Sequence, residues 1–171
     1  MNDTLSFVAV LMGSDSDLGA MQGCLDVLDK LDVPCEVHIT SAHRTPEATR
    51  DYVNDAEQRG CAVFIAAAGM AAHLAGVVAA QTVRPVIGVP MDAGPLKGMD
   101  ALLSTVQMPA GVPVASVAIG SAGARNAAFL AAQMLGLADS GLSARLRAER
   151  KSNAESIAAK DRALQKKLQG G

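Results

Sequence analysis

The chain is poor in aromatic residues: its 171 residues include three Phe, one Tyr and no Trp. Half of the residues are hydrophobic all the same, so a buried core has to be built from Ala, Val, Leu, Ile and Met. Side chains of this size favour close packing of helices on a sheet. The length fits a single domain, since domains usually span roughly 100 to 200 residues.

Targeting signals are lacking as well. The start, Met1-Asn2-Asp3-Thr4, has no basic flank of the kind that begins a secretion signal. No apolar run approaches the ~20 residues that span a bilayer. We therefore expect a cytoplasmic protein without membrane contact.

Cysteine and histidine are too few and too scattered for a disulfide framework or a metal site. The three cysteines, Cys24, Cys35 and Cys61, are odd in number and form no C-x-x-C pair. We interpret each as a small buried hydrophobic residue in a reducing compartment. The three histidines are not spaced as H-E-x-x-H, so no metal or other cofactor is predicted.

Charge divides the chain into two parts. Residues 1–140 carry seven Lys or Arg against fourteen Asp or Glu, whereas residues 141–171 carry eight against three. The acidic part, residues 1–140, argues against nucleic-acid binding. The basic tail also has no aromatic residue on which a base could stack. We predict one catalytic domain over 1–140 and a helical tail over 141–171 that packs on an acidic neighbouring subunit. A solvated, frayed helix stays open as an alternative. The apolar stripe of the predicted tail helix comprises Leu142, Leu146, Ile157, Leu164 and Leu168.

Five short apolar runs alternate with segments of helical periodicity. The pattern predicts strands at 7–12, 35–40, 62–68, 85–90 and 112–119, and helices at 18–31, 46–59, 71–82, 99–107 and 124–137. Such alternation is typical of an α/β three-layer sandwich with a five-stranded parallel sheet covered on both faces. The flavodoxin-like order 2-1-3-4-5 is the simplest topology, with a Rossmann-like order as the alternative. Ligands of either fold bind beyond the carboxyl ends of the strands.

The turn after the first strand reads Gly13-Ser14-Asp15-Ser16-Asp17. Its amides at a helix start favour phosphate binding, with Ser14 and Ser16 as hydroxyl donors. Asp17 could accept hydrogen bonds from a ribose diol. Simple helix capping by Ser and Asp is the alternative. An aspartyl phosphatase is a rival interpretation, although the acids do not follow the strand directly, and G-x-G-x-x-G of a dinucleotide site is absent.

The turn after the second strand, Ser41-Ala42-His43-Arg44-Thr45-Pro46, joins an imidazole to a guanidinium. His43 can move protons near neutral pH and Arg44 can bind a phosphate. Thr45 and Pro46 are predicted as the cap and first residue of a helix. The third turn, from Gly69 to Gly76, is nearly free of bulk, so a flat ligand could approach its backbone. We interpret its His73 as a hydrogen-bonded structural residue.

Four segments together resemble the PurE family of N5-carboxyaminoimidazole ribonucleotide mutases. They are residues 12–17, 41–46, 71–74 and 104–109, within a resemblance running from about 8 to 137. The resemblance implies a reversible shift of carboxylate from an exocyclic amine to ring carbon C4 in purine biosynthesis, without ATP, metal or cofactor. It also implies a small-molecule ribonucleotide substrate and a homo-octamer. A flavodoxin-like nucleotide-binding module without turnover is the alternative.

The resemblance assigns roles residue by residue. It places Ser14, Ser16, Asp17 and Arg44 on the ribose phosphate and makes His43 the proton carrier at C4. The base and carbon dioxide pocket would be lined by Ser41, Gly69, Met70, Ala71, His73 and Leu74. Arg44 resembles the mutase class, because a related class that uses carbon dioxide directly has Lys there. Two departures are Met70, where the family usually has Gly, and Ala75, where it has Pro. Met70 predicts an intruding side chain or a strained positive φ.

Overall fold

The computed structural model describes residues 6–169 and contains five parallel strands alternating with helices. The strands are β1 Phe7–Met12, β2 Cys35–Ile39, β3 Cys61–Ala68, β4 Val86–Pro90 and β5 Ala115–Ser116. The helices are α1 Leu18–Lys30, α2 Pro46–Gln58, α3 Leu74–Ala79, α4 Met99–Val106, α5 Ser121–Leu135 and α6 Ser140–Gln169. The sheet order is β2-β1-β3-β4-β5, which confirms the flavodoxin-like prediction.

The core consists of two apolar layers, one on each face of the sheet. Alternate residues of β1 enter opposite layers, as the period of two in a strand requires. Val8 and Val10 pack towards α1 and α5, while Ala9 and Leu11 pack towards α2 and α3. Every residue of β1 is buried. The predicted three-layer sandwich is therefore confirmed.

The register of the strands brings their carboxyl ends to one level. Met12 of β1 lies opposite Ile39 of β2 and Ala67 of β3. Two backbone hydrogen bonds extend this level into the turns: Gly13 N donates to Ala67 O and Thr40 N donates to Met12 O, each at 2.9 Å. The turns after β1, β2 and β3 therefore start side by side.

Strand β2 is less buried than the apolar run at 35–40 and a sheet covered on both faces led us to expect. β2 is the edge of the sheet and pairs only with β1, so four of its five residues are exposed, including Val37 and Ile39. Cys35, at its start, is exposed too, whereas Cys24 and Cys61 are buried as expected. Burial raises the pKa of Cys24 to about 12 and that of Cys61 to about 11, so both thiols stay protonated.

Two predicted elements are shorter than expected. β5 covers Ala115–Ser116 instead of 112–119; Pro113 has no N–H for the ladder, and the chain beyond keeps only isolated bonds such as Val117 N to Gly88 O at 3.1 Å. α3 begins at Leu74 instead of 71, because the chain first makes a turn in which His73 N donates to Ala71 O at 2.8 Å.

Helix α6 has a packed half and an exposed half. In its first turns Leu142 is buried, Arg145 Nε donates to Leu31 O at 2.8 Å, and Leu146 packs against the core of its own chain. Every residue from 151 to 169 is exposed, including Ile157, Leu164 and Leu168. The five apolar residues of the tail therefore do not share one partner. Within residues 6–169 no helix is long and apolar enough to cross a membrane.

Candidate active site

The first turn is built by hydrogen bonds among its own side chains. Ser14 Oγ accepts from Ser16 N at 3.3 Å and lies 2.9 Å from Ser16 Oγ, which caps a 3₁₀ turn over Asp15–Asp17. Asp15 is exposed and accepts from Ser16 N at 3.0 Å. Asp17 is only 8% exposed, and this burial raises the pKa of its carboxyl. A hydrogen bond with the Ser14 backbone lowers that pKa, but its effect is smaller than that of burial. The turn therefore presents hydroxyls beside a nearly buried carboxylate.

The second turn holds His43 and Arg44 on a loop that is closed by hydrogen bonds. Thr45 occupies the cap position of α2, but its hydroxyl makes no cap hydrogen bond to the helix. It accepts instead from Ser41 N at 3.0 Å and donates to Ser41 O at 3.1 Å, which closes the loop onto itself. Arg44 N donates to Ser41 Oγ at 3.2 Å. The prediction of Thr45 as the cap and Pro46 as the first residue of α2 is confirmed, although the Thr45 hydroxyl is used within the loop.

The guanidinium of Arg44 reaches back to the first turn. Its Nη2 donates to Gly13 O at 3.4 Å. Among residues 6–169 no salt bridge joins Arg44 to a carboxylate. A guanidinium with this little neutralisation attracts anions, and Ser14 and Ser16 lie beside it in the same cleft.

The third turn brings a second histidine to the site. His73 is exposed and stands at the N-cap of α3, so it lies just before the helix and not within it as predicted. Its Nδ1 lies 2.7 Å from Nε2 of His43, and the two rings meet edge to face at 68° with centroids 4.7 Å apart. One ring nitrogen donates and the other accepts, so a hydrogen bond joins the two imidazoles.

All of the predicted site residues line one cleft of about 430 Å³. Its walls comprise Ser14, Ser16, Asp17, Ser41, His43, Arg44, Gly69, Met70, Ala71, His73 and Leu74. The cleft lies beyond the carboxyl ends of β1, β2 and β3, where the fold predicts a ligand. Its size suits a small organic ligand. In the described part of the chain, no three His, Cys, Asp or Glu side chains are grouped to hold a metal ion.

Sequence reasoning missed one wall of the cleft and one contact. Ala93, in the loop after β4, lines the cleft because that loop packs closely on the third turn. A Cβ built on Gly69 would lie 2.7 Å from Ala93 Cβ, so only glycine fits there. The missed contact is the pairing of His43 with His73. Both residues follow strands that flank β1, and the predicted strand order could have indicated that they lie close together.

A comparison of the sequence with known families and proteins gives a consistent result. A family model described as AIR carboxylase matches residues 7–156. The chain is 55% identical over 159 residues to the N5-carboxyaminoimidazole ribonucleotide mutase of Mycobacterium tuberculosis (strain H37Rv), which covers 93% of this chain and 90% of the relative. It is 50% identical over 150 residues to the mutase of Bacillus subtilis (strain 168), covering 88% and 93% respectively.

Solved structures agree with these relatives. The crystal structure of Treponema denticola PurE superposes with a TM-score of 0.83 at 29% identity, covering 93% of this chain and 98% of that one. A second structure, of a single-residue variant of Treponema denticola PurE2, gives a TM-score of 0.85 at 28% identity with the same coverage. Sequence and structure thus lead to one conclusion: the chain belongs to the AIR carboxylase family.

Proposed function

We propose that this protein is an N5-carboxyaminoimidazole ribonucleotide (N5-CAIR) mutase of purine biosynthesis. It would move the carboxylate from the exocyclic nitrogen to ring carbon C4, giving 4-carboxy-5-aminoimidazole ribonucleotide (CAIR). Relatives of that name share 50 and 55% of their residues with it over most of both chains. The observation that carries the proposal is the 2.7 Å contact between His43 and His73 in a cleft that also holds Arg44.

The cleft offers separate groups for the two ends of the substrate. Arg44 and the hydroxyls of Ser14 and Ser16 would bind the phosphate, because a guanidinium and O–H donors match phosphate oxygens. The carboxylate of Asp17 would accept hydrogen bonds from the ribose diol, which also compensates for its burial. Ser41 and the segment from Gly69 to Leu74 would then surround the base.

The histidine pair would carry the proton of the reaction. Cleavage of the N–C bond releases carbon dioxide, and the exocyclic nitrogen takes up a proton. Carbon C4 then attacks carbon dioxide, and the tetrahedral C4 loses its proton to His43. One proton is taken up and one is returned, so a residue that both donates and accepts is sufficient. Reaction in place requires that carbon dioxide stay beside the ring. This scheme uses no ATP, metal or organic cofactor.

We also propose that the protein is a cytoplasmic homo-octamer. In each subunit, residues 1–140 would form the catalytic domain and residues 141–171 the tail. The basic half of α6, residues 151–169, would lie on the acidic body of a neighbouring subunit, because it is exposed throughout and its charge is opposite to that of the body. Deleting 151–171 is expected to lower the assembly mass in analytical ultracentrifugation while the monomer stays folded. An unchanged mass would show that the segment is a solvated appendage.

The decisive experiment is a turnover assay with purified protein. Conversion of N5-CAIR to CAIR without ATP or added metal supports the proposal. Formation of CAIR from aminoimidazole ribonucleotide (AIR) and bicarbonate, but not from N5-CAIR, would instead show the carboxylase reaction named by the family model. Binding of both ribonucleotides without turnover would leave a nucleotide-binding module. Release of inorganic phosphate would point to a phosphatase.

A further inference from the structure

The methionines of this protein differ in their access to solvent. Two of those within residues 6–169 are exposed, Met70 at 57% and Met99 at 53%. The others in that range are buried or half-buried: Met12, Met21, Met91, Met108 and Met134. A dissolved oxidant reaches an exposed thioether first. Met70 and Met99 are therefore the methionines that a peroxide would modify.

The two exposed methionines lie in different parts of the molecule. Met70 follows β3 and lines the cleft, where it is the one exposed large apolar side chain among the described residues. Met99 is the first residue of α4 and does not line the cleft. An oxidant thus has two targets of similar exposure, and one of them belongs to the candidate active site.

The thioether of Met70 packs on the loop after β4. A Cβ built on Gly94 of that loop would lie 3.3 Å from Cγ and 3.5 Å from Sδ of Met70. The two segments also meet at Gly69 and Ala93. Oxidation converts a thioether into a bulkier, polar sulfoxide, which disrupts apolar packing of this kind. The oxidised side chain therefore no longer fits its contact with the loop.

The backbone at Met70 is already strained. Its φ of +52° lies in the left-handed region, where the β-carbon of an L-residue crowds the backbone. Met70 belongs to neither apolar layer of the core, so burial does not offset this strain. The same turn carries His73, which is hydrogen-bonded to His43. A sulfoxide that leaves the contact with Gly94 therefore acts on a strained turn that positions a histidine of the cleft.

We propose that Met70 is a site of reversible oxidation that makes turnover sensitive to peroxide, an inference that rests on the proposed mutase function. A lone pair of Sδ attacks one oxygen of hydrogen peroxide, and the O–O bond breaks. The departing hydroxide takes the proton of the transferred oxygen and leaves as water. Sulfur is thereby oxidised by two electrons and the peroxide is reduced. The sulfoxide makes the wall beside the base polar and shifts the turn that carries His73, so turnover falls.

The experiment treats the full chain with hydrogen peroxide in a Cys35→Ser background. Cys35 is the exposed thiol of the described residues and lies at the start of β2, at the opposite end of the sheet from the cleft. Peptide mass spectrometry should find an added oxygen on both Met70 and Met99. The value of kcat/KM for N5-CAIR should fall roughly tenfold as Met70 is oxidised, because the wall and the turn no longer position the base. Methionine sulfoxide reductase with a thiol reductant should restore it.

Matched variants separate the two sulfurs. Met70→Leu has similar bulk and no oxidisable sulfur, so peroxide should leave it with the activity that it had before treatment. Met99→Leu should lose activity on treatment as the parent protein does. If Met70→Leu fails to fold, Met70→Gly also removes the sulfur, and glycine adopts the positive φ freely. It should resist peroxide in the same way.

The outcomes distinguish this inference from the function on which it rests. Untreated protein that converts no N5-CAIR overturns the proposed function, and the role of Met70 with it. Untreated protein that converts N5-CAIR and keeps its full activity once Met70 is oxidised overturns the role of Met70 alone. The same conclusion follows if the Met70 variants lose as much activity as the parent, or if oxygen is added to Met99 but not to Met70.

Discussion

Two histidine clusters in this protein have similar ring contacts but very different surroundings. In the cleft, the rings of His43 and His73 lie 4.7 Å apart. On the edge of the sheet, the ring of His38 lies 4.2 Å from that of Tyr52. The edge cluster also contains Glu36, Asp55 and Arg59, whereas no carboxylate makes a salt bridge with His43 or His73 in the part of the chain that the structure describes.

The surroundings in the edge cluster shift the pKa values of Glu36 and Tyr52 away from neutral pH. Arg59 donates through both terminal nitrogens to the carboxylate of Glu36 and through Nε to Asp55 at 2.6 Å. The Arg59 hydrogen bonds hold the pKa of Glu36 below its usual value. Burial, followed by the hydrogen bond to Glu36, raises the pKa of Tyr52. Near neutral pH Glu36 is therefore ionised and Tyr52 is protonated.

The cleft pair differs because both partners are the same chemical group. Either ring can donate the hydrogen bond that joins them, because donor and acceptor roles depend on the tautomer. A ring contact alone is therefore not evidence that a histidine carries a proton, since both clusters have one. The neighbours decide, and an ion-pair network around a histidine serves the fold.

The largest expected effect is a loss of turnover when a histidine of the cleft, but not of the edge cluster, is replaced. His43→Asn should lower kcat by roughly 10²-fold or more, because the positioned proton carrier is lost. The fold should persist, since His43 is exposed. His38→Asn is the matched control on the edge strand and should turn over at the wild-type rate. Near-normal kcat in His43→Asn would exclude His43 as the proton carrier.

The next effect tests whether the pair acts as a unit. His73→Gln should lower kcat by roughly tenfold and move the pH dependence of kcat, because His43 loses the partner that orients it and shares its proton. KM should change less than kcat. A pH profile that coincides with that of the wild type would show that His73 only fills space.

A smaller effect is expected at the edge cluster, in stability instead of turnover. Tyr52→Phe removes the 3.1 Å hydrogen bond to Glu36 and should lower the free energy of unfolding by about 0.5 to 1.5 kcal/mol. The turnover rate should not change. Urea denaturation with parallel rate measurements checks both, and a loss of turnover would join the two clusters functionally.

The smallest effects have opposite signs in the two regions. The pKa of Glu36 is lowered in the folded state, so its stabilising contribution is present above the pKa of the unfolded chain and is lost as pH falls. Asp17 has a raised pKa, so its contribution is favourable at acid pH and is lost as pH rises. At pH 7, Glu36→Gln should therefore lower Tm slightly and Asp17→Asn should raise it. Thermal unfolding from pH 7 to pH 4 should show both differences shrinking.

Much of the fold follows from the sequence, because short apolar runs alternating with helical periods allow few parallel topologies. The three polar turns could be placed together for the same reason: carboxyl ends of parallel strands meet at one edge. The 2.7 Å contact of His43 with His73 could not, since it depends on the conformation of two turns separated by a strand. Met70 was predicted either to intrude or to take a positive φ, and the structure shows the positive φ with its side chain on the rim.

The edge and the tail were harder to predict, because periodicity does not show which partner an apolar residue contacts. Val37 and Ile39 have the apolar pattern of a buried strand, yet they lie exposed on the edge strand. Leu142 and Ile157 lie on the same amphipathic helix, but the first is buried and the second is 64% exposed. Only the packing of α6 on the body distinguishes them.

The anchoring of α6 fixes how far its exposed half extends from the body. Arg145 binds the carbonyl of Leu31, and Lys30 pairs with Glu149 at 2.6 Å, so the body sets the direction in which the helix leaves it. The exposed half, 151–169, then projects about 28 Å at 1.5 Å per residue. Because this helix is anchored at one end, one added turn would move its free end outwards by about 5.4 Å and leave the cleft untouched.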